Sequence, residues 1–407
     1  MTPHILILAD GRSPTAQSWI ENIQALAFEV SLISTYPCDP LNGLKYFHIL
    51  PIAYSRYSSK QASVNKKVSN GPLTTLIRRF TPLFQKMRHT LGPLSLLRYK
   101  ETYQDLVLNY QPDLVHALRI PFEGMLGSYT PSIFPFIAAT WGNDLTLHAR
   151  GSWLMRRFTQ RCLQRADGLT SDTHRDVRLA QTWGLDKGEP TLVIPGSGGV
   201  DLEKIRASRG FEANGYGIPV KSDWVVNPRG LRPGSVHQEI FFAAMPQVLA
   251  QRPQTVFICP GLEGIPQAEA WLDEYSSREN TFLLPKLPQT ELWGLFNQSQ
   301  LFVSPSSHDG TPNTLLEAMA CGCFPILGDI ESLREWIEHG INGLLVNPRD
   351  PQELANAIIE ALDQPDLRQN AADINLTVIK NRAAQRATQP MIKNFYAQIL
   401  TQFKFEI

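Results

Sequence analysis

Short apolar runs, polar turns and amphipathic stretches alternate along the whole chain. Residues 5–9 are apolar throughout, as expected of a buried parallel strand, and a polar turn at 10–14 leads into apolar residues at helical spacing over 19–27. A second apolar run follows at 30–33. This order predicts a β-α-β unit, so the first domain is predicted to be a doubly wound α/β domain.

The same alternation continues and divides the chain in two. It predicts further strands at 112–117, 134–141, 168–171, 191–195, 224–227, 255–259, 281–284, 301–304 and 324–327. The glycine-rich stretch 196–199 is interpreted as a linker, since 407 residues exceed one ordinary core. We therefore predict domains at 1–196 and 197–385, with a C-terminal helix of about 386–407 packing back on the first domain.

The most informative segment follows the predicted strand that ends at Ser304. Thr311 is predicted to cap a helix with Pro312 in its first turn, and the amides of this turn are expected to bind phosphate. Those amides belong to Asn313, Thr314 and Leu315. Asp309 precedes the helix and Glu317 lies inside it, so both acids are expected to reach hydroxyls of one ligand.

This segment resembles the donor site of the retaining glycosyltransferases of family 4, whose GT-B fold has two Rossmann-like domains facing a cleft. Their signature is two acids separated by seven residues and followed by Ala-Met-Ala. Asp309 stands at the first acid, usually Glu, which contacts donor-sugar hydroxyls, and Glu317 at the second, which holds the ribose. Other stretches follow the family's order: 113–116, 141–144, 194–201, 260–261 and 340–346.

The resemblance also implies groups around the donor diphosphate. The family carries an Arg after the first strand of its second domain and a Lys about five residues later. Arg229 matches the Arg, whereas Gly234 stands at the Lys position, so the second charge is assigned to Arg232 or His237. Gly261 is placed in the donor site by the same resemblance.

In the first domain, the candidate residues follow predicted strands. His116 is expected to face the cleft near the donor sugar, the alternative being a hydrogen-bonded core histidine. Arg119 is expected to meet a phosphate or an acceptor, and Asp144 to bind the acceptor. Gly11 and Arg12 lie in the first strand–helix turn, which in the family borders both substrates.

The activity implied is transfer of a sugar from a nucleoside diphosphate sugar to an acceptor hydroxyl with retained configuration, in cell-surface polysaccharide or glycolipid synthesis. No Asp-x-Asp motif occurs, so neither a metal nor another cofactor is expected, and Arg229, Asp309 and His116 are the catalytic candidates. The alternative is a sugar-nucleotide-binding protein without turnover, or an epimerase-like relative.

Composition adds a compartment and a second partner. Five cysteines without a CxxC pair favour reduced thiols and a cytoplasmic location. No acidic residue lies between Asp39 and Glu101, where eleven residues are basic, and apolar residues recur at helical spacing over 73–87. The segment 40–100 is therefore either a solvated face or a surface for anionic membrane on the inner face of the bilayer, and no nucleic-acid module accompanies it.

Overall fold

The structure is a computed structural model, and it describes residues 2–53, 55, 90, 92–208, 210–220 and 222–405. The chain forms two units: an N-terminal unit of Met1–Gly198 with Thr388–Ile407, and a C-terminal unit of Gly199–Ala387. The sequence placed these two boundaries two residues earlier in each case. The apolar pattern at 73–87 and the basic residues from 56 to 88 lie outside the described residues.

The N-terminal unit is built on a seven-stranded parallel sheet. Its strands are β1 (His4–Ala9), β2 (Glu29–Ser34), β3 (Phe47–Ile49), β4 (Leu114–Ala117), β5 (Phe136–Thr140), β6 (Gly168–Ser171) and β7 (Thr191–Val193). Their order is β3-β2-β1-β4-β5-β6-β7. The order in which successive strands are added therefore reverses between β1 and β4. This switch point is the place where doubly wound sheets bind ligands.

The C-terminal unit repeats this design with six parallel strands. They are β8 (Trp224–Val226), β9 (Val256–Pro260), β10 (Thr281–Leu284), β11 (Leu301–Ser304), β12 (Phe324–Gly328) and β13 (Leu344–Val346), in the order β10-β9-β8-β11-β12-β13. Here the strand order reverses between β8 and β11, and Val226 of β8 pairs in register with Phe302 of β11. Two doubly wound Rossmann-like units confirm the predicted fold class.

Helices cover both faces of each sheet, as parallel sheets require. Those of the N-terminal unit are α1 (Pro14–Ala25), α2 (Lys100–Tyr110), α3 (Met125–Gly127), α4 (Trp153–Arg165) and α5 (His174–Trp183). Those that follow are α6 (Leu202–Ala207), α7 (Gln238–Gln251), α8 (Pro266–Glu274), α9 (Gln289–Gln298), α10 (Asn313–Ala320), α11 (Glu331–Arg334), α12 (Pro351–Asp363), α13 (Pro365–Arg382) and α14 (Gln385–Phe405). Short 3₁₀ or π turns occur at Leu96–Tyr99, Ile120–Gly124, Asp144–His148, Ala213–Tyr216 and Arg278–Asn280.

The last helix, α14, packs on the N-terminal unit from Thr388 onward. Its residues Ile392, Tyr396 and Ile399 are buried against Ile5 and Trp19 in one apolar cluster. Removal of this apolar surface from water holds the end of the chain on the first sheet. None of the helices that the structure describes has the length and apolar content needed to cross a membrane.

Candidate functional site

The donor-site candidates lie at the carboxyl ends of the strands of the second sheet, at the switch point between β8 and β11. Arg229 follows β8, and Asp309 follows the neighbouring strand β11. The backbone amide of Arg229 donates to Asn227 Oδ1 over 3.2 Å, and the Asp309 carbonyl accepts from Ser332 Oγ over 2.7 Å. These bonds hold the backbone of both loops in place.

The Arg229 guanidinium is buried and held by two side chains. Its Nη2 donates to Asp309 Oδ2 over 2.5 Å, and its Nη1 donates to Thr314 Oγ1 over 3.1 Å. The third nitrogen, Nε, is buried without a hydrogen-bond partner. Burial of an unmatched N–H costs about 1–3 kcal/mol, so the free Nε–H is a group that a ligand acceptor would satisfy.

Two details of the α10 N-terminus differ from expectation. The N-cap is Pro312 rather than Thr311, and the hydroxyl of Thr311 accepts a hydrogen bond from Trp336 Nε1 over 2.8 Å. The amide of Leu315 donates to Pro312 O over 3.0 Å, so it is already used within the first turn. Asn313 and Thr314 are the first two residues of the helix and remain the amide candidates for phosphate.

Glu317 lies three residues beyond Thr314, one turn further along α10, and is buried. Gln289 Nε2 donates to its Oε1 over 2.6 Å. Burial raises the pKa of Glu317 to about 7, and the hydrogen bond from Gln289 opposes this shift. Gln289 was missed by the sequence reasoning, since nothing in the chain marks a residue at the start of α9 as the partner of an acid in α10.

The two candidates for the second positive charge are placed differently. Arg232 is exposed, and its Nε donates to the Arg229 carbonyl over 3.2 Å. His237 is engaged on both ring nitrogens, with Ser307 Oγ and Glu239 Oε1 each at 2.9 Å. Arg232 therefore fits the role better, since its guanidinium carries a permanent charge beside Arg229.

Gly261 lies just beyond β9, the neighbour of β8. Its φ of +82° belongs to the left-handed region, and a Cβ added there would meet no atom within 4 Å. Its amide is bonded to the carbonyls of Leu284 and Pro285, at 2.9 and 3.1 Å. The positive φ favours glycine at this position, and the space in front of Gly261 is open.

In the N-terminal unit, Gly11 and Arg12 follow β1 at the point where that sheet changes direction. A Cβ on Gly11 would lie 2.6 Å from Cys38 Sγ, so the turn is packed closely. Arg12 donates from Nε and Nη2 to the two Asp10 carboxylate oxygens, both at 3.0 Å. Its guanidinium stacks 3.8 Å from the centre of the Tyr36 ring.

Arg119 and Asp144 form one ion pair, at the ends of β4 and β5. Arg119 Nε donates to Asp144 Oδ1 over 2.8 Å, and Asp144 Oδ2 accepts from the Trp141 amide over 3.1 Å. The Arg119 side chain is 36% exposed and that of Asp144 fully buried. Burial raises the pKa of Asp144, and the charge of Arg119 opposes the rise. Solvent can reach Arg119, and the buried carboxylate of Asp144 orients its guanidinium.

His116 does not face open space, so its expected orientation is wrong. Side chains alternate along β4, and His116 shares a face with Leu114 that α1 and α14 cover. The ring is fully buried, with Tyr396 OH 2.8 Å from Nδ1 and Thr170 Oγ1 3.1 Å from Nε2. Burial lowers the pKa of His116 to about 3, so the imidazole is neutral and serves as a hydrogen-bonded core residue.

Metal ligands and reactive thiols are not evident in the described ranges. No group of three or more His, Cys, Asp or Glu side chains is arranged there to hold a metal ion. All five cysteines are free, and burial raises the pKa of Cys321 to about 12.

Comparison with known proteins identifies the family to which this site is similar. Residues 231–375 match the family "Glycosyl transferases group 1". Over 213 residues the chain is 26% identical to D-inositol 3-phosphate glycosyltransferase of Thermobispora bispora, a match that covers 49% of this chain and 49% of that protein. The match therefore spans about half the length of the relative.

Solved structures match over nearly the full length. Sucrose-phosphate synthase from Thermosynechococcus elongatus aligns with a TM-score of 0.73 and 16% identity, covering 99% of this chain and all of that one. Alr3699/HepE of Anabaena, solved with UDP-glucose, aligns with a TM-score of 0.68 and 17% identity, covering 98% of this chain and all of that one. The fold is GT-B. The resemblance seen in the sequence is confirmed at the level of glycosyl transferases group 1, and the finer assignment to family 4 stays a prediction.

Proposed function

We propose that this chain is a glycosyltransferase that moves a sugar from a nucleoside diphosphate sugar to an acceptor hydroxyl. The observation that carries the proposal is the buried Arg229 guanidinium, held between Asp309 and Thr314 with Nε unpartnered. It lies at the switch point of the second sheet, and its partner Thr314 precedes Glu317 by one helical turn. In this proposal the diphosphate binds Arg229 and the ribose binds Glu317.

We further propose that configuration is retained and that no metal takes part. The bond from the anomeric carbon to the departing phosphate oxygen breaks, the acceptor oxygen forms its bond on the same face, and the departing phosphate takes the acceptor proton. Arg229, with Arg232 beside it, balances the charge that develops on the diphosphate. His116 is left out of this scheme, since its ring is buried and hydrogen-bonded on both nitrogens.

The donor is tested with the purified chain. UDP-, GDP- and ADP-glucose are compared by thermal shift, and the best binder is then incubated with sugar acceptors while glucose transfer and donor hydrolysis are measured. UDP-glucose is tried first, because it is the ligand in the Anabaena HepE structure. Binding without transfer or hydrolysis would favour the alternative, a sugar-nucleotide-binding protein, and an isomerised sugar would favour an epimerase-like activity.

The absence of a metal requirement is tested in the same assay. Activity is expected to survive dialysis against EDTA, because protein cations balance the diphosphate. Complete loss with EDTA, restored by magnesium or manganese, would contradict the metal-independent scheme.

We also propose that the segment 40–100 attaches the protein to the anionic inner face of a membrane, where it would serve polysaccharide or glycolipid synthesis. Leu97 and Arg98, at the described end of this segment, are exposed. Lys100 Nζ lies 5.5 Å from the centre of the Tyr129 ring, and Arg161 of α4 lies 4.1 Å from the same ring. Lys100 of the segment and Arg161 of α4 thus lie against the same ring.

A further inference from the structure

The Asp309 carboxylate is occupied by the protein itself. Its Oδ2 accepts from Arg229 Nη2 over 2.5 Å and from Ser306 Oγ over 3.2 Å, and its Oδ1 lies 3.2 Å from the Gly310 amide. The side chains of Arg229 and Asp309 are only 4% and 12% exposed. An aspartate in this position is therefore placed to neutralise a buried guanidinium rather than to offer its oxygens to a sugar.

The remaining donor of Arg229 indicates where a ligand would bind. Nη1 donates to Thr314 and Nη2 donates to Asp309, whereas Nε–H is buried without an acceptor. A diphosphate oxygen that reaches Nε, or a second N–H of Nη1 or Nη2, would leave the bond to Asp309 in place. The bound diphosphate would then share one guanidinium with a carboxylate, and two anionic groups close to each other repel in a poorly solvated site.

We propose that Asp309 acts on the donor through Arg229, as the counter-charge that weakens the hold on the diphosphate, and does not contact the sugar. This inference rests on the proposed function. Asp309 is accordingly a positioning residue. It orients the guanidinium, and its negative charge eases the release of the nucleoside diphosphate product, which carries more negative charge than the sugar-linked donor.

The test compares the nucleotide with and without its sugar. Affinities of UDP and UDP-glucose, or of the GDP or ADP pair if wild type prefers it, are measured by titration calorimetry at pH 8. Asp309→Asn is expected to bind UDP about five- to tenfold more tightly and UDP-glucose more tightly by a smaller factor. Asp309→Glu, which keeps the charge, should stay within about twofold of wild type for UDP, the ligand that offers the longer side chain no sugar to contact.

Asp329→Asn is the matched control, because Asp329 forms an exposed ion pair with Arg334 in the same unit and should leave both affinities unchanged. Unchanged UDP affinity with weaker UDP-glucose binding in Asp309→Asn would overturn the inference and restore a sugar contact. Weaker binding of both ligands would also overturn it. Failure of wild type to bind any of these nucleotides would instead sink the proposed function, and this inference with it.

A folding failure of Asp309→Asn would not leave the question open. Asp309→Ser, which removes the same charge with a smaller side chain, then takes its place. A larger gain in affinity for UDP than for UDP-glucose supports the counter-charge, and weaker UDP-glucose binding at unchanged UDP affinity overturns it.

Discussion

Arg229 is the residue on which the proposed chemistry depends most. Arg229→Ala is expected to lower the transfer rate a few hundred-fold, or about 3–4 kcal/mol of transition-state stabilisation, as loss of one donor from an oxyanion site does. Arg334→Ala, which removes an exposed guanidinium of the same unit, is the matched control. Steady-state kinetics with the established donor measure the loss, and near-normal turnover in Arg229→Ala would exclude it from the mechanism.

Since Arg229→Ala leaves the Asp309 carboxylate buried without its partner, folding must be checked beside turnover. Arg229→Lys keeps the charge and loses the forked geometry. A rate for this variant between those of wild type and Arg229→Ala would separate the charge of Arg229 from its orientation.

Glu317 links ligand binding to pH, because burial raises its pKa to about 7. If its carboxylate holds the ribose, affinity for the nucleotide sugar should fall as the pH drops below 7, whereas Glu317→Gln should bind about five- to tenfold more weakly at pH 8 and show no such pH dependence. A nucleotide sugar is the right probe, since its phosphates do not titrate near pH 7. Equal affinities and equal pH profiles in the two proteins would contradict the ribose assignment.

The same raised pKa predicts an opposite effect on stability. A carboxyl group whose pKa is higher in the folded than in the unfolded state stabilises the fold at low pH, and this contribution is lost as the pH rises from about 4.5 to about 7. Glu317→Gln should therefore be more stable than wild type at pH 8, by on the order of 2–3 kcal/mol, while the difference shrinks toward pH 5. Urea unfolding without ligand measures it.

At the scale of elements, the sequence predicted most strands of both sheets, including the edge strands Thr191–Val193 and Thr281–Leu284, and missed two others. Gly168–Ser171, Thr281–Leu284 and Leu301–Ser304 match residue for residue, and in the last two a run of three apolar residues marks the strand. Phe47–Ile49 and Leu344–Val346 were missed, and both are three-residue strands at the edge of a sheet. Pairing with a neighbour defines such strands, and a pattern along one chain does not contain it.

The candidate site divides in a similar way. Motif spacing brought Arg229, Asp309 and Glu317 to one sheet edge, but it could not show that Asp309 binds Arg229 or that Gln289 binds Glu317. The orientation of His116 was wrong because its position near a strand end says nothing about which face of the sheet the ring takes. Contacts of this kind depend on packing between elements distant in sequence.

A buried hydrogen-bonded group holds α14 in place, and removing one hydroxyl oxygen tests its contribution to stability. Tyr396 OH accepts from Trp19 Nε1 over 3.1 Å and lies 2.8 Å from His116 Nδ1. Tyr396→Phe should leave the indole N–H unmatched in the core and lower the free energy of unfolding by about 1–3 kcal/mol. Tyr46→Phe, at a tyrosine that is 42% exposed, is the control and should change it by less than about 0.5 kcal/mol in the same urea titration.

For the whole molecule, charge is distributed unevenly although the total is zero. Residues 1–200 carry 21 basic and 14 acidic side chains, whereas 201–407 carry 17 and 24. On α4, Trp153 is 69% exposed, and it shares a helical face with Arg157 and Arg161 at intervals of four residues. Both arginines are exposed, and neither forms an ion pair within the part of the chain that the structure describes. A cationic face with an exposed indole suits an anionic bilayer surface.

Vesicle co-sedimentation tests this attachment on the intact chain. Binding to anionic vesicles should exceed binding to neutral ones and weaken at high salt, because each engaged Lys or Arg contributes about 1 kcal/mol and is screened beyond a Debye length of ~8 Å. Changing Arg78, Arg79, Lys86 and Arg88 to Gln tests the acid-free segment, and changing Arg157 and Arg161 tests α4. Removing the same number of charges at Arg252, Arg278, Arg334 and Arg349 of the C-terminal unit is the matched control. Attachment that ignores lipid charge, or that the control set reduces as much as the N-terminal sets do, would leave these basic residues as a solvated face, because a specific surface must depend on where the charges lie as well as on how many there are.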